Sequence, residues 1–347
     1  MKNISKLLVG ILFSALVMSP SFAGEMTVTG GATATYATNG DDEAAGKNLG
    51  ISNELDFSAN GELDNGFTWN YQVQLDGASA ANDDTRLELG TDFGTVGFYV
   101  TEGGLSAELH GVGALGQGFD YVSPTTFNVA YDVDGYSNIQ YHTPADLLPY
   151  GIQVKLGYVP NMNATTQLSA KESSTSIATQ NTGRNLTQGQ ISATPIDGLS
   201  IKGSVAQTSN ETGVNVSTEE GVSANISGSY SIGPVAFGYS EGGYQPAIAS
   251  GELIYYENEA MGINFAVNDA LSVSYNKETS DKNARAAVDV AASAGTKTVT
   301  SMEQKSLQVA YTTGGATLGI AQVEVSNSDY TAGKDEAQTV FSLGISF

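Results

Sequence analysis

Side chains that could carry out covalent chemistry are scarce in this sequence. The chain of 347 residues has no Cys and only two His, His110 and His142, which excludes thiolate chemistry and leaves little for a His-based metal site. Residues 111–116, GVGALG, have the G-x-G-x-x-G spacing of a dinucleotide-binding loop, but such a loop must be followed by a helix, and no helical periodicity follows here. Ser, His and Asp are all present without a recognised nucleophile setting. The sequence therefore predicts neither an enzyme nor a bound cofactor.

Acidic residues are abundant, with 37 Asp and Glu against 14 Lys and Arg, so the formal charge is −23. Nucleic acid is excluded as a partner, because phosphate binding requires clustered basic residues. Carboxylates that lie close in sequence could bind Ca²⁺ or could be solvated loop acids, and we leave both interpretations open. These carboxylates are Asp41, Asp42, Asp83, Asp84, Asp132 and Asp134.

The elements that must position these side chains are strands. From Phe67 to Leu75 apolar and polar residues alternate without a break, which places all apolar side chains on one face of a strand. The same alternation recurs in residues 152–158, 222–230, 271–275, 307–311 and 341–347. With 41 Gly in the chain, long helices are disfavoured. We predict about sixteen strands, because a membrane strand needs roughly 9–11 residues and the remaining residues of the chain must form the connections between strands.

The connections alternate between short and long. The short ones are turns rich in residues that tolerate positive φ, at 63–66, 91–94, 195–198, 231–234, 268–270 and 313–315. The long ones are polar and cover residues 39–46, 76–84, 101–134, 160–183, 208–219, 241–250, 280–301 and 326–335.

The first 23 residues have the pattern of a secretory signal peptide. Lys2 and Lys6 precede an apolar run over residues 7–18, and small residues follow at Ser21 and Ala23. We expect cleavage to leave residues 24–347 as one domain, with two lysines fewer and a charge of −25. No later segment has the 18 consecutive apolar residues expected of a membrane-spanning helix.

Two architectures share this alternation. In a secreted sandwich the apolar face points inward, whereas in a transmembrane barrel it meets lipid and the polar face lines a wet lumen. Aromatic residues at strand ends, a polar second face and alternating connection lengths favour the barrel. The fold class predicted is therefore all-β, a transmembrane antiparallel β-barrel of about sixteen strands.

Three stretches resemble Gram-negative general diffusion porins of the sixteen-stranded alphaproteobacterial type. Residues 85–97, TRLELGTDFGTVG, resemble the strand–turn–strand signature of that family, and residues 138–144, NIQYHTP, resemble the segment after its constriction loop. The terminal Phe347, at the end of an alternating strand, resembles the signal read by the outer-membrane assembly machinery.

The resemblance implies an outer-membrane homotrimer and an inward-folded constriction loop at residues 101–134. Acidic residues of that loop would narrow the pore: Glu102, Glu108, Asp120, Asp132 and Asp134. Its basic candidate is His110, and Arg86, Lys155 and Lys202 would be the basic residues of the pore wall. Opposed acids and bases would set a transverse field in which the acids prevail, which predicts a modest preference for cations.

The function predicted is passive diffusion of small hydrophilic solutes and ions through a water-filled channel. One alternative is a substrate-specific channel, which would need a line of lumen aromatics for sugars or clustered lumen Lys and Arg for anions. Most aromatics lie in the outward register of the strands. The other alternative is a structural or adhesive secreted β-protein.

Overall fold

The computed structural model describes residues 26–39, 49–76, 84–109, 130–162, 185–209, 220–247, 253–285 and 297–347. They form sixteen antiparallel strands in one closed barrel, each paired with its neighbours in sequence, which confirms the predicted fold class. The strands are β1 Met26–Asn39, β2 Leu49–Glu62, β3 Thr68–Asp76, β4 Thr85–Thr91, β5 Gly94–Val100, β6 Asn138–His142, β7 Gln153–Val159, β8 Leu186–Ala193, β9 Leu199–Thr208, β10 Val222–Ile232, β11 Val235–Gln245, β12 Leu253–Ala266, β13 Leu271–Arg285, β14 Lys297–Thr313, β15 Ala316–Ser326 and β16 Glu336–Ser346. Within the described ranges, no helix has the length and apolar character needed to cross a membrane.

The first and last strands close the barrel. Strand β1 pairs with β16 from Gly31 opposite Ser346 to Asn39 opposite Gln338. Next to the Gly31–Ser346 end of this ladder, the backbones of Gly30 and Phe347 exchange two hydrogen bonds of 2.9 Å. No edge is left between the two ends of the sheet, which is the condition for a sheet to persist in lipid.

Alternation along each strand separates an outer apolar face from an inner polar face. In β10, Val222 and Ile226 are exposed on the outside, whereas Ser223, Asn225 and Ser227 point inward and are buried. Exposed apolar side chains around the circumference include Phe237, Tyr275, Leu307, Phe341 and Leu343. An apolar exterior around a polar interior is the arrangement of a membrane barrel and the reverse of a soluble sandwich.

The two rims of the barrel differ. Seven connections lie at one rim. Six of them are short, and several use glycines with positive φ, such as Gly66 (83°), Gly198 (78°) and Gly315 (83°). The seventh, between β6 and β7, is longer and contains a 3₁₀ turn over Pro149–Gly151. The other long connections lie at the opposite rim, as they do in barrels with a periplasmic and an external side.

Two of the predicted long connections, 241–250 and 280–301, are shorter than the sequence indicated. Residues 241–245 belong to β11, residues 280–285 to β13 and residues 297–301 to β14. The alternation of apolar and polar residues is lost there because the outer face of these strands becomes mostly polar or charged towards the long-connection rim. Lys277 and Lys305 both form ion pairs with Glu303, with N···O distances of 2.6 and 2.5 Å. Closer to the short-connection rim, the outward positions of the same strands are apolar again, at Tyr275 and Leu307.

Candidate pore constriction

The chain that follows β5 enters the barrel and runs along its inner wall. Ala107 N donates to Ser204 Oγ on β9 at 2.8 Å, and Leu109 N donates to Ser240 Oγ on β11 at 3.1 Å. Both serines lie in the inward register and are buried. Residues 101–109 therefore cross the interior, as the resemblance implied for the constriction loop.

The other end of the loop returns along the same side of the barrel. Val133 N donates to Gln188 Oε1 on β8 at 2.9 Å, and Gln190 Nε2 donates to the Leu105 carbonyl at 3.0 Å. A small apolar cluster fixes the two limbs to β7, β8 and β9, and it comprises Leu105, Val133, Val159, Leu186 and Ala206. This cluster is a local anchor for the loop, and a second apolar cluster lines the inner face of β14, β15 and β16.

Asp132 binds the two limbs of the loop together. Its carboxylate accepts hydrogen bonds of 2.7 Å from Leu105 N, Ser106 N and Val133 N. Burial raises the pKa of this carboxyl, and the backbone donors oppose the rise by stabilising the charged form. The sequence placed Asp132 among the pore-facing acids, whereas the structure directs its carboxylate into the loop.

Glu102 and Arg86 form a direct ion pair. Arg86 lies in the inward register of β4, and its Nη1 is 2.9 Å from Glu102 Oε1. Burial nevertheless raises the pKa of the Glu102 carboxyl, although the Arg86 guanidinium lowers it. The two charges were expected to oppose each other across the lumen. Instead they largely neutralise each other on one side of it.

Glu108 also makes structural contacts. Its Oε1 accepts from Asn258 Nδ2 on β12 at 3.0 Å, and its Oε2 accepts from Ala130 N at 3.1 Å. One carboxylate thus joins the entering limb, the returning limb and the barrel wall.

Asp134 differs from the other described acids of the loop because it is exposed. The surrounding protein removes part of its hydration, which is the main reason that its pKa is raised, to about 6. The nearby charges of Asp132 and Asp84 raise the pKa further. Asp134 can therefore change its charge near neutral pH.

The predicted basic residues of the wall lie in the inward register. Lys155 on β7 pairs in register with His142 on β6, and Lys202 lies two strands further along, on β9. The sequence singled out His142 only because the chain has two histidines. Its ring stacks on the Tyr99 ring, with the two ring centroids 6.2 Å apart. The wall between β6 and β9 is accordingly the basic side of the lumen, although acids also line the neighbouring wall at Asp56 and Glu88.

Several predicted residues lie outside the described residues. They are His110, Asp120, Asp41, Asp42 and Asp83. In the part of the chain that the structure describes, no three His, Cys, Asp or Glu side chains are grouped so that they could hold a metal ion.

The sequence analysis missed a row of lumen tyrosines. Tyr131 of the loop contacts Tyr244 on β11, with ring centroids 5.0 Å apart, and Tyr244 stacks on Tyr256 of β12 at 5.7 Å. Tyr256 contacts Tyr330, in the connection between β15 and β16, at 5.4 Å. Strand register could have identified Tyr244, since Ser240 and Tyr244 share one face. Tyr131 and Tyr330 lie in connections, where no strand register could have identified them.

The sequence analysis also missed a G-x-S-x-G match at residues 238–242, GYSEG. A nucleophile elbow requires a sharp turn from strand to helix. These residues instead lie inside the continuous strand β11, and Ser240 Oγ accepts the hydrogen bond from Leu109 N. The match therefore reflects barrel alternation and loop anchoring.

No protein-family model matches the chain, and no curated protein is significantly similar to it in sequence. Solved structures resemble it over nearly its whole length. The trimer form of OmpT, an outer-membrane protein of Vibrio cholerae, has a TM-score of 0.62 at 13% identity and covers 94% of this chain and 100% of its own. An anion-selective porin from Comamonas acidovorans has a TM-score of 0.62 at 14% identity, covering 93% and 100%. The outer-membrane channel DcaP of Acinetobacter baumannii has a TM-score of 0.61 at 11% identity, covering 93% and 97%.

These identities establish likeness of fold. The feature that these structures share with this chain is the closed antiparallel barrel, which has sixteen strands here. The chain has the fold of the sixteen-stranded outer-membrane porins.

Proposed function

We propose that this protein is an outer-membrane channel for passive diffusion of small hydrophilic solutes and ions. The observation that carries the proposal is the loop of residues 101–109 and 130–134, held against the inner wall of a closed barrel with a polar interior. Sixteen strands leave an aqueous channel, and an inward loop restricts what passes through it. The similar solved structures include porins and an outer-membrane channel, which supports the same function.

We propose further that the channel prefers cations. The described part of the loop contains four acids and neither Lys nor Arg. Glu102 is paired with Arg86 and Asp132 is enclosed, so Asp134 is the accessible charge of that set. Accessible negative charge in a narrow aqueous passage enriches cations, and salt screens the effect over about 10 Å at 0.1 M.

An anion-specific channel is the second candidate. Lys155 and Lys202 on the β6–β9 wall could attract anions in the way that basic rings do. The similar porin from Comamonas acidovorans is anion-selective. We favour cations because Asp134 is an exposed acid of the inward loop itself.

Location and assembly belong to the same proposal. Residues 1–23 would direct export, and Phe347 would be read by the assembly machinery. The trimer form among the similar structures supports a homotrimer in the lipid bilayer.

Planar-bilayer recordings of the purified chain under a KCl gradient test the function. We expect stable ohmic steps and a reversal potential on the cation side that shrinks as salt rises. Absence of conductance would refute the channel, whereas an anionic reversal potential would refute only the cation preference and support the basic wall as the selective element.

A further inference from the structure

The row of lumen tyrosines offers a surface that a simple diffusion channel does not require. Tyr131, Tyr244, Tyr256 and Tyr330, here called the tyrosine row, follow one another at centroid separations of 5.0, 5.7 and 5.4 Å. Strands β11 and β12 and two long connections supply these residues, so the tyrosine row lies on the inner wall towards the long-connection rim. A solute entering from that side meets it next to the constriction loop.

The members of the row differ in exposure. Tyr256 is 7% exposed because its neighbours cover it, so it serves as a spacer. Tyr131, Tyr244 and Tyr330 are half-buried, so part of each side chain stays exposed. Tyr131 packs on one side against the loop anchor, and Tyr330 packs against the apolar cluster of β14, β15 and β16.

Polar groups accompany the rings. Ser280 Oγ is 2.8 Å from the Tyr330 hydroxyl and donates to Asn258 Oδ1 at 2.6 Å. Asn258 in turn donates to Glu108 of the loop, and Lys282 Nζ lies 5.7 Å from the centre of the Tyr330 ring. Ser280 is fully buried and holds the Tyr330 hydroxyl in place. The polar groups that accompany the ring faces of the tyrosine row are therefore the tyrosine hydroxyls and the Lys282 ammonium.

This combination selects a class of solute. Flat aromatic faces attract apolar C–H surfaces, and a few fixed polar groups orient a ligand through its hydroxyls. Neutral carbohydrates present both kinds of surface on each ring. Small inorganic ions present neither and would pass without being retained.

We propose that the tyrosine row is a retention site for neutral oligosaccharides in the outer part of the channel. The proposal rests on the channel function proposed above and adds a substrate class to it. These four tyrosines depart from the outward register that was expected of most aromatics in this chain. Retention would raise the flux of dilute sugars, because a solute held beside the constriction enters it more often.

The experiment measures block of the ionic current by maltohexaose in a planar bilayer. For the unmodified chain we expect a saturating decrease in current with added sugar. Tyr244→Ala and Tyr330→Ala should each raise the half-blocking concentration by about tenfold, the change that corresponds to about 1.4 kcal/mol of lost ring contact. Tyr255→Ala is the matched control, because Tyr255 neighbours Tyr256 on β12 but is exposed on the outer face, and block should not change.

Three further variants separate ring contact from the space that the side chain fills. Tyr244→Phe and Tyr330→Phe keep the rings and should retain most of the block. Tyr244→Leu fills similar space without an aromatic face and should lose block. If the unmodified chain conducts but maltohexaose does not block its current, the retention site is overturned and the channel function stands. The same holds if the sugar still blocks the Tyr244→Leu variant. Block by an aromatic solute alone would likewise overturn it, whereas a chain that does not conduct would refute the channel itself.

Discussion

At the scale of single residues, the acids of the loop have separate tasks. Asp132 accepts three backbone hydrogen bonds inside the loop, Glu102 pairs with Arg86, and Asp134 remains accessible. Composition makes these residues equivalent. Their surroundings decide which acid holds the loop in place and which one remains exposed.

Replacing Asp132 should loosen the constriction loop. In Asp132→Asn the side chain keeps one oxygen acceptor and loses its charge, so we expect a cost of about 1–3 kcal/mol to the loop's attachment. Single-channel recordings should then show frequent brief closures. Asp134→Asn removes the same charge without touching the three backbone donors and should conduct as quietly as the unmodified chain. Equal noise in the two variants would contradict a clamping role for Asp132.

Asp134 should make cation selectivity depend on pH. Loss of hydration and the neighbouring Asp132 raise its pKa to about 6, so the carboxylate binds a proton at a higher pH than an ordinary Asp. Its negative charge is present above this pKa and is lost below it. The reversal potential at low salt should therefore shift towards anions as the pH falls from about 7 to about 5, one unit on either side of that value.

The matched variant for that experiment is Asp134→Asn. At pH 7 this variant should already show the reduced cation preference that the unmodified chain reaches only at low pH. Its reversal potential should not change over the same pH range. A pH response identical to that of the unmodified chain would assign the titration to another group.

At the scale of the elements, strand register decides whether a side chain meets lipid or water. On β3, Val73 lies in the outward register with Trp69 and Tyr71. Gln72 points inward and donates to Asp56 Oδ1 at 3.0 Å. These neighbouring positions give a direct comparison of the two environments.

Arginine should have opposite effects at these neighbouring positions. We expect Val73→Arg to destabilise the barrel by about 2–4 kcal/mol, the cost of a lipid-facing Arg near the bilayer midplane. Gln72→Arg should fold normally, because Asp56 and lumen water receive the charge, and it should change the conductance. Refolding into lipid vesicles over a urea series gives the stabilities. Similar midpoints for both variants would contradict the assigned register of β3.

At the scale of the whole molecule, stability depends on closing the seam between β1 and β16. The Gly30 and Phe347 backbones form the last two hydrogen bonds of that seam, while the Phe347 ring is 68% exposed on the outside. Backbone and ring can thus be tested separately.

Deleting Phe347 should lower outer-membrane yield far more than it alters single-channel behaviour. It removes both the seam hydrogen bonds and the terminal ring, so refolding of the purified chain in detergent should also suffer. Phe347→Ala keeps the backbone bonds, and we expect normal refolding in detergent with low yield in cells. Wild-type yield of either variant in cells would contradict a role for the terminal Phe in assembly.

The local pattern of the sequence was sufficient for the barrel. Side chains alternate along a strand with a period of two, and lipid and water impose opposite preferences on the two faces, so residues 67–75 or 341–347 carry their own register. The inward placement of Arg86, Lys155 and Lys202 followed from the same rule. The rule failed where the outer face becomes charged, as at Lys277 and Lys305, because alternation is then invisible to hydropathy.

Only the tertiary structure decided which side chains meet inside the lumen. Leu109 meets Ser240 across 131 positions of sequence, and Tyr256 of β12 meets Tyr330 of a distant connection. No local periodicity encodes such contacts, since they arise only when the barrel closes and brings its connections inside. For the same reason the sequence placed Asp132 and Asp134 in one loop of acids. The folded loop enclosed the first carboxylate among backbone donors and left the second residue exposed.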